Sequence, residues 1–220
     1  MKKRKQSLIP GLAPEGLPFA LIGVLLVVIC LVVPGWLGAL VFCVYIAFTI
    51  WFFRDPERVS PFGDDLIISP ADGRVVEVEY VEKAPYTNEP ARKVGIFMSP
   101  FNVHVNRSPV SGVVEGVFYK QGGFVKADLP QASLANEHNA VIIRRDDGAR
   151  VMFMQVSGLV ARRIVCYLEN GDRVERGSRV GMIRFGSRVD VYMPPRVEVG
   201  VKVGEKVKAG ENILGRLAWS

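Results

Sequence analysis

The sequence has little cysteine, little histidine and only a small excess of positive charge. Three cysteines and two histidines in 220 residues argue against a disulfide framework and fit a reducing compartment. No metal site is predicted. The net charge is +6, and four basic residues against Glu15 put half of it in the first 53 residues. Because the remaining body lacks clustered Lys and Arg, nucleic-acid binding is not predicted.

Charge is absent altogether from residues 17–53, a run of 37 residues. We interpret the run as two short transmembrane helices, 17–33 and 36–53, turned at Pro34-Gly35, each near the lower length limit for crossing a bilayer core of about 30 Å. One long tilted or kinked helix is an alternative. A secretory signal peptide is another, but the run is too long for one and no small-residue cleavage pattern follows it.

The charges that flank this run predict its orientation. Residues 1–16 form a basic leader that carries Lys2 to Lys5, and Arg54 and Arg58 follow the second helix. A hairpin with both ends in the cytoplasm satisfies the positive-inside rule. The expected location is therefore the cell (inner) membrane, with a catalytic domain of residues 54–220 on the cytoplasmic side.

From Leu66 onward, short Val- and Ile-rich runs alternate with Gly, Pro and Asp-Gly, which predicts a mainly β domain. Two turn patterns occur twice. S-P-x-x-G-x-V-x-x-V begins at Ser69 and Ser108, and G-[DE]-x-V-x-x-G begins at Gly171 and Gly204. Such pairs suggest a duplicated sandwich or barrel, similar to the barrel-sandwich hybrid of lipoyl and biotinyl carriers. A membrane-tethered carrier or adaptor module is therefore a rival function. A carrier needs a modifiable Lys at an exposed hairpin tip, and neither repeat offers one.

Gly186-Ser187 lies between two apolar, β-prone runs, 180–185 and 189–193. A Gly-Ser pair usually marks a simple turn. Here both neighbours are predicted strands, so the bend is held on both sides and backbone strain could be stored in it.

A few other polar residues could carry chemistry. Asp72 lies in a Pro-Ala-Asp-Gly sequence that is also a good turn. His104, bracketed by two Ser-Pro pairs, is one of two residues able to act as an imidazole base. His138 lies in a polar segment and is expected to be exposed. Arg162 and Arg163, inside an apolar run, could pair with carboxylates or hold a phosphate.

Together these segments resemble the phosphatidylserine decarboxylase family, in its short single-domain branch. The resemblance covers nearly all of residues 53–195 in order. It is carried by Arg54-Asp55-Pro56-Glu57-Arg58, Ser69-Pro70-Ala71-Asp72-Gly73, the segment from Ser99 to Pro109 with His104, Leu159-Val160-Ala161-Arg162-Arg163, and Phe185-Gly186-Ser187-Arg188-Val189-Asp190.

The resemblance implies a proenzyme that cuts itself between Gly186 and Ser187 and converts the serine into a covalent pyruvoyl cofactor. In the implied relay, Asp72 orients His104 and His104 activates Ser187. The two chains, the smaller of 34 residues from 187 to 220, would stay associated as a heterodimer; a higher oligomer is left open. Longer relatives carry a second histidine where this chain has Arg107.

The implied reaction is the decarboxylation of phosphatidylserine, a membrane phospholipid, to phosphatidylethanolamine through a Schiff base with the pyruvoyl group. His104 is the candidate for the later protonation of the substrate carbon. Arg162, Arg163 and Arg188 are candidates for binding the phosphodiester. A soluble amino acid as substrate is the alternative within the same chemistry, and the apolar helices argue against it.

Overall fold

The computed structural model describes residues 9–32, 36–123, 125, 132–158, 163–184 and 187–218. It contains two compact units. One is helical and ends at Glu57, and the other begins at Arg58. Among the residues predicted to matter, Pro34-Gly35, Arg162 and Gly186 lie outside the described ranges.

The helical unit consists of a 3-10 turn, Pro14–Gly16, followed by α1 (Leu17–Val32) and α2 (Trp36–Phe52). A Cβ added to Gly23 of α1 would meet the side chain of Ile46 in α2, and one added to Gly38 would meet Cys30. These contacts make the helices an antiparallel pair, and small residues allow the close approach. The stretch Pro14–Val32 is long and apolar enough to cross a membrane, and Trp36–Phe52 is a shorter apolar helix. Two membrane crossings therefore stay a prediction.

Where the structure describes it, the second unit consists of short strands and one short helix, α3 (Ala132–Ala135). The mainly β prediction is confirmed. The strands are β1 (Leu66–Ile68), β2 (Gly73–Val81), β3 (Ala91–Met98), β4 (Val105–Arg107), β5 (Gly112–Lys120), β6 (His138–Arg144), β7 (Arg150–Val156), β8 (Ile164–Cys166), β9 (Arg173–Val174), β10 (Arg179–Ile183), β11 (Ser187–Met193), β12 (Val197–Val199), β13 (Lys206–Val207) and β14 (Ile213–Leu217).

These strands form three antiparallel sheets. The largest has eight strands in the order β13-β2-β3-β11-β7-β6-β5-β9, and the smaller sheets are β1-β14-β12 and β4-β10-β8. Apolar side chains from all three sheets, such as Val189, Leu214 and Val180, are fully buried in one core cluster. The likeness to a barrel-sandwich hybrid stays a prediction.

The two S-P-x-x-G repeats fold as two copies of one turn. Ser69 Oγ donates to Ala71 O at 2.7 Å, and Ser108 Oγ donates to Val110 O at the same distance. One copy leads into β2 and the other into β5. The two copies also bind each other through Arg107 N to Pro70 O at 2.9 Å and Ile68 N to Pro109 O at 3.0 Å. The sequence repeat therefore reports a structural duplication.

The second repeat obeys the same symmetry. Val75 N donates to Glu205 O, and Val114 N donates to Asp172 O, each at 2.9 Å. Each G-[DE]-x-V-x-x-G turn thus accepts a hydrogen bond from the strand that follows one of the S-P-x-x-G turns. As a result β13 pairs with β2, and β9 pairs with β5.

Strand β11 lies inside the large sheet. It pairs along its length with β3, from Ser187 opposite Met98 to Met193 opposite Arg92, and on its other side with β7. All seven residues of β11 are buried.

Candidate active site

Ser187 begins β11, and its side chain is fully buried. Its Oγ donates to the thioether Sδ of Met98, directly opposite on β3, at 3.4 Å. The serine is therefore not at the tip of an exposed turn. Main-chain pairing fixes its strand from its first residue onward.

His104 is also fully buried, one residue before β4. Its carbonyl oxygen accepts a hydrogen bond from Ile183 N at 3.4 Å, at the end of the strand β10 that precedes Ser187 in the chain. The loop between β3 and His104 is held by Asn102, whose Oδ1 accepts from Ser99 N at 2.9 Å and Ser99 Oγ at 2.8 Å. The histidine backbone is thus tied to the strand that leads to the predicted cleavage point.

Asp72 is held from two directions. Arg58 binds both carboxylate oxygens, with Nη2 2.9 Å from Oδ2 and Nη1 on Oδ1. The main-chain N–H of Ala209 donates to Oδ1 at 2.8 Å, and Ala209 O accepts from the same arginine at 2.7 Å. A fork-to-carboxylate pair of this kind fixes orientation as well as charge.

The duplicate turn shows what a purely structural residue does at this position. Ser111 lies where the second repeat matches Asp72, and its Oγ accepts from Arg176 N at 2.9 Å. That bond corresponds to the bond from Ala209 N to Asp72. A serine hydroxyl therefore suffices for the turn, and the second oxygen and the charge of Asp72 exceed what the turn requires.

The predicted phosphate-binding arginines lie in different environments. The side chain of Arg163 is exposed, whereas Arg188 is fully buried and bound by the carboxylates of Glu77 and Asp190. Lys93 adds a contact of 2.8 Å to Glu77. For Arg188 to reach a substrate phosphate this cluster would have to open, so its position does not favour the predicted role.

The ion cluster shifts the titration of its carboxyl groups. Burial works to raise the pKa of Glu77, but hydrogen bonds and charges of Lys93 and Arg188 outweigh it and hold that pKa below its ordinary value. For Asp190 burial dominates over the same cations, and its pKa is raised.

The expectation that His138 is exposed is wrong. It begins β6 and is fully buried, with Nε2 2.7 Å from Tyr86 Oη and Nδ1 2.7 Å from Asn136 O. Its polar neighbours in the chain suggested solvent, but Asn136 is itself buried and binds the Ser157 carbonyl at 2.8 Å.

A cavity of about 450 Å³ opens beside Asp72. It is lined by Asn102 from the loop that leads to His104, and by the cationic side chains of Arg74, Lys206 and Lys208. These three cations are exposed. The cavity can therefore receive an anionic group beside β13, the start of β2 and the end of β3.

The fold and the site define a class of mainly β protein in which a fully buried serine begins an inner strand. The backbone of a buried histidine is bound to the preceding strand β10, and a carboxylate is fixed by an arginine fork. Comparison with known proteins sharpens this. The family model of phosphatidylserine decarboxylase matches residues 45–215.

Relatives named phosphatidylserine decarboxylase proenzyme are similar over nearly the whole chain. One from Magnetococcus marinus is 48% identical, covering 93% of this chain and 94% of its own. Another from Syntrophus aciditrophicus is 47% identical, covering 93% and 96%, and one from Ralstonia nicotianae is 49% identical, covering 94% and 96%. The chain belongs to the phosphatidylserine decarboxylase family.

Proposed function

We propose that this chain decarboxylates phosphatidylserine to phosphatidylethanolamine, using a pyruvoyl group formed from Ser187 by self-cleavage after Gly186. The observation that carries the proposal is the buried Ser187 at the first position of an inner strand, with Oγ held by Met98. A residue that must survive a chain break and keep its position needs such pairing. The relatives' designation as proenzymes supports a processing step.

The proposed self-cleavage uses two residues, His104 and Ser187. His104 takes the proton of Ser187 Oγ, which attacks the carbonyl carbon of Gly186; the C–N bond breaks, and the proton passes to the departing nitrogen. The amide becomes an ester. A base then removes the Cα proton of residue 187, and the Cβ–Oγ electron pair leaves with the Gly186 carboxylate. The resulting dehydroalanine hydrolyses to pyruvoyl and ammonia.

The surroundings of residue 187 suit a small ketone at this position. Met98 and the paired strands enclose it, and no side chain larger than the serine has to be accommodated. When formed, the pyruvoyl group supplies a carbonyl that takes up the substrate's primary amine and serves as the electron sink for loss of CO₂. In the proposed relay Asp72, which Arg58 orients, positions His104 for proton transfer, and His104 returns a proton to the substrate carbon.

The substrate would enter through the cationic cavity beside Asp72. Arg74, Lys206 and Lys208 are better placed than the buried Arg188 to receive a phosphodiester, and Arg163 stays a candidate because it is exposed. The apolar stretch Pro14–Val32 supports attachment to a membrane. We place the β unit at the cytoplasmic face because basic residues flank the apolar run. Attachment raises the effective concentration of a lipid substrate.

Mass analysis of the purified protein tests the proposal. The expected result is two chains in place of one of 24.3 kDa, the smaller starting at residue 187 with a blocked, pyruvoyl N-terminus. Ser187→Ala should abolish cutting and activity, and His104→Ala should stall cutting. An active protein that stays at full mass would overturn the proposal.

The alternative substrate is a soluble amino acid. Decarboxylation of phosphatidylserine in liposomes, compared with free serine at equal concentration, separates the two. Turnover of free serine alone would keep the pyruvoyl chemistry and remove the lipid from the proposed function.

A further inference from the structure

Three buried amide side chains form a chain of hydrogen bonds that ends beside Ser187. Asn139 Nδ2 donates to Gln155 Oε1 at 3.2 Å, and Gln155 Nε2 donates to Asn106 Oδ1 at 2.9 Å. Asn106 Nδ2 then donates to Met98 Sδ at 3.7 Å. All three amides are at most 3% exposed. Buried polar groups are costly unless they are hydrogen-bonded, so each of these amides depends on the next one for its partner.

A main-chain carbonyl fixes which atoms donate and which accept along this row of amides. Gln155 Nε2 also lies 3.4 Å from Val165 O, which can only accept a hydrogen bond. Gly181 makes the arrangement possible, because a Cβ there would collide with Val165 O and crowd Gln155 Nε2. The amide of Gln155 must therefore point its NH₂ toward Asn106, which fixes Asn106 Oδ1 as acceptor. The donor Nδ2 of Asn106 is left facing the site.

Two donors converge on one weak acceptor. Ser187 Oγ, at 3.4 Å, and Asn106 Nδ2, at 3.7 Å, both use Met98 Sδ, and a thioether accepts hydrogen bonds poorly. A neutral, soft acceptor leaves the Asn106 donor available for a stronger one. An oxygen that gains negative charge where Oγ now lies would be such an acceptor.

Self-cleavage produces that oxygen in its second step. In the ester, Oγ links Cβ of residue 187 to the Gly186 carbonyl carbon. When the Cα proton leaves to a base, the C–H pair forms the Cα=Cβ bond, the Cβ–Oγ bond breaks, and Oγ becomes one of the two oxygens of the Gly186 carboxylate. We propose that the Asn106 amide donates to Oγ as this carboxylate forms. Asn106 is then a catalytic residue of the elimination, and Gln155 and Asn139 are positioning residues; the proposal rests on the proposed self-cleavage.

The test is to ask whether loss of Asn106 traps the ester. Asn106→Ala is expected to slow elimination by roughly 10²-fold, as for other donors to a developing oxyanion, while formation of the ester continues. The folded protein is treated with hydroxylamine, quenched in acid and analysed by mass. The trapped ester is split into a Gly186 hydroxamate and a small chain with an unblocked serine, and ammonia release is delayed to the same extent.

A charge variant gives a second, independent readout. Asn106→Asp keeps the acceptor for Gln155 but replaces the donor by an oxygen that donates only when protonated. Burial raises the pKa of such a carboxyl, so the elimination rate relative to the unmodified protein should rise as the pH falls. Asn106→Ala should show no such rise. Gln155→Leu should trap the same ester, to a smaller extent.

Asn136→Ala is the matched control, because it removes a buried asparagine whose hydrogen bonds to Ser157 and Val125 lie outside the amide chain. It should lower stability without hydroxylamine-sensitive ester. Normal cutting in both Asn106 variants, or an uncut chain that resists hydroxylamine, would overturn the role of Asn106. Failure of the unmodified protein to cut at all would instead overturn the proposed function.

Discussion

Asp72 and Ser111 occupy equivalent positions in two copies of one turn, and each accepts a main-chain N–H, from Ala209 and Arg176 respectively. Ser111 therefore shows what this position needs for the turn alone. Compared with Ser111, Asp72 adds a carboxylate and the arginine that binds it.

This equivalence gives a substitution that keeps the turn and removes the proposed function. Asp72→Ser should fold, because a serine accepts the Ala209 N–H as Ser111 accepts its own. Self-cleavage should slow by roughly 10²–10⁴-fold, the range of a general-base contribution. Pulse-labelled samples followed by electrophoresis give the rate. Since the serine removes the carboxylate that binds both Nη atoms of Arg58, and leaves Glu211 at 3.6 Å from Arg58 Nε, Asp72→Ser with Arg58→Met serves as control. Cutting at the unmodified rate in either variant would deny Asp72 its role.

The ion cluster around Arg188 predicts a pH dependence of stability. The pKa of Glu77 is held below its ordinary value of 4.5, so Glu77 adds stability that is present above that value and lost as the pH falls through the lowered folded pKa. Glu77→Gln should lower stability near neutral pH and flatten the acid side of the curve. Urea unfolding on both sides of that pH measures it. Glu79→Gln, which removes one contact to Lys93, is the control; parallel curves for Glu77→Gln and the unmodified protein would contradict the prediction.

The Arg188 side chain fills the space beside Gly95. A Cβ on Gly95 would collide with the Arg188 guanidinium and approach Asp190 Oδ1 to 3.0 Å. Gly95→Ala should therefore cost about 1–3 kcal/mol, as overpacking does, and chemical unfolding measures the loss. Gly200→Ala has open space around its Cβ and should cost far less. Equal losses in the two variants would mean that Arg188 moves aside freely.

The cationic cavity predicts a separation of binding from processing. Lys206→Glu with Lys208→Glu should raise the KM for phosphatidylserine vesicles by roughly tenfold or more, since each cation near an anionic lipid surface contributes about 1 kcal/mol. Cutting should proceed at the unmodified rate. Lys202→Glu changes an exposed lysine outside the cavity lining and should leave KM unchanged. Arg163→Glu, measured in the same way, should raise KM only if that arginine also binds the phosphodiester.

Local patterns in the sequence were enough to predict the strands around residue 187 and the duplicated turns, because turn residues and β-branched runs act over a few positions. The site's supporting contacts are not local. Arg58 is separated from Asp72 by 14 residues, and Ala209 by 137. In the sequence Arg58 counted as a charge that flanks the second helix and as part of the family-like segment 54–58. Neither signal predicts its pairing with the carboxylate, which was missed.

The sequence also did not predict which polar residues are buried. Arg188 beside a serine suggests an exposed phosphate ligand, yet Gly95 and Glu77 on neighbouring strands build a place for it inside the protein. His138 was likewise predicted to be exposed and is buried. Asn106 and Gln155 gave no signal at all, since a lone amide in a strand becomes meaningful only when another strand supplies its partner.

The inner position of β11 implies that folding must precede the proposed self-cleavage. The chain after residue 186 contributes β11 between β3 and β7, β13 at one margin of the large sheet, and β14 beside β1. Met98 lies opposite Ser187 only once β11 has paired with β3. Under the proposed self-cleavage, a nascent or misfolded chain therefore remains whole, and the chain break itself becomes a covalent record that folding has been completed.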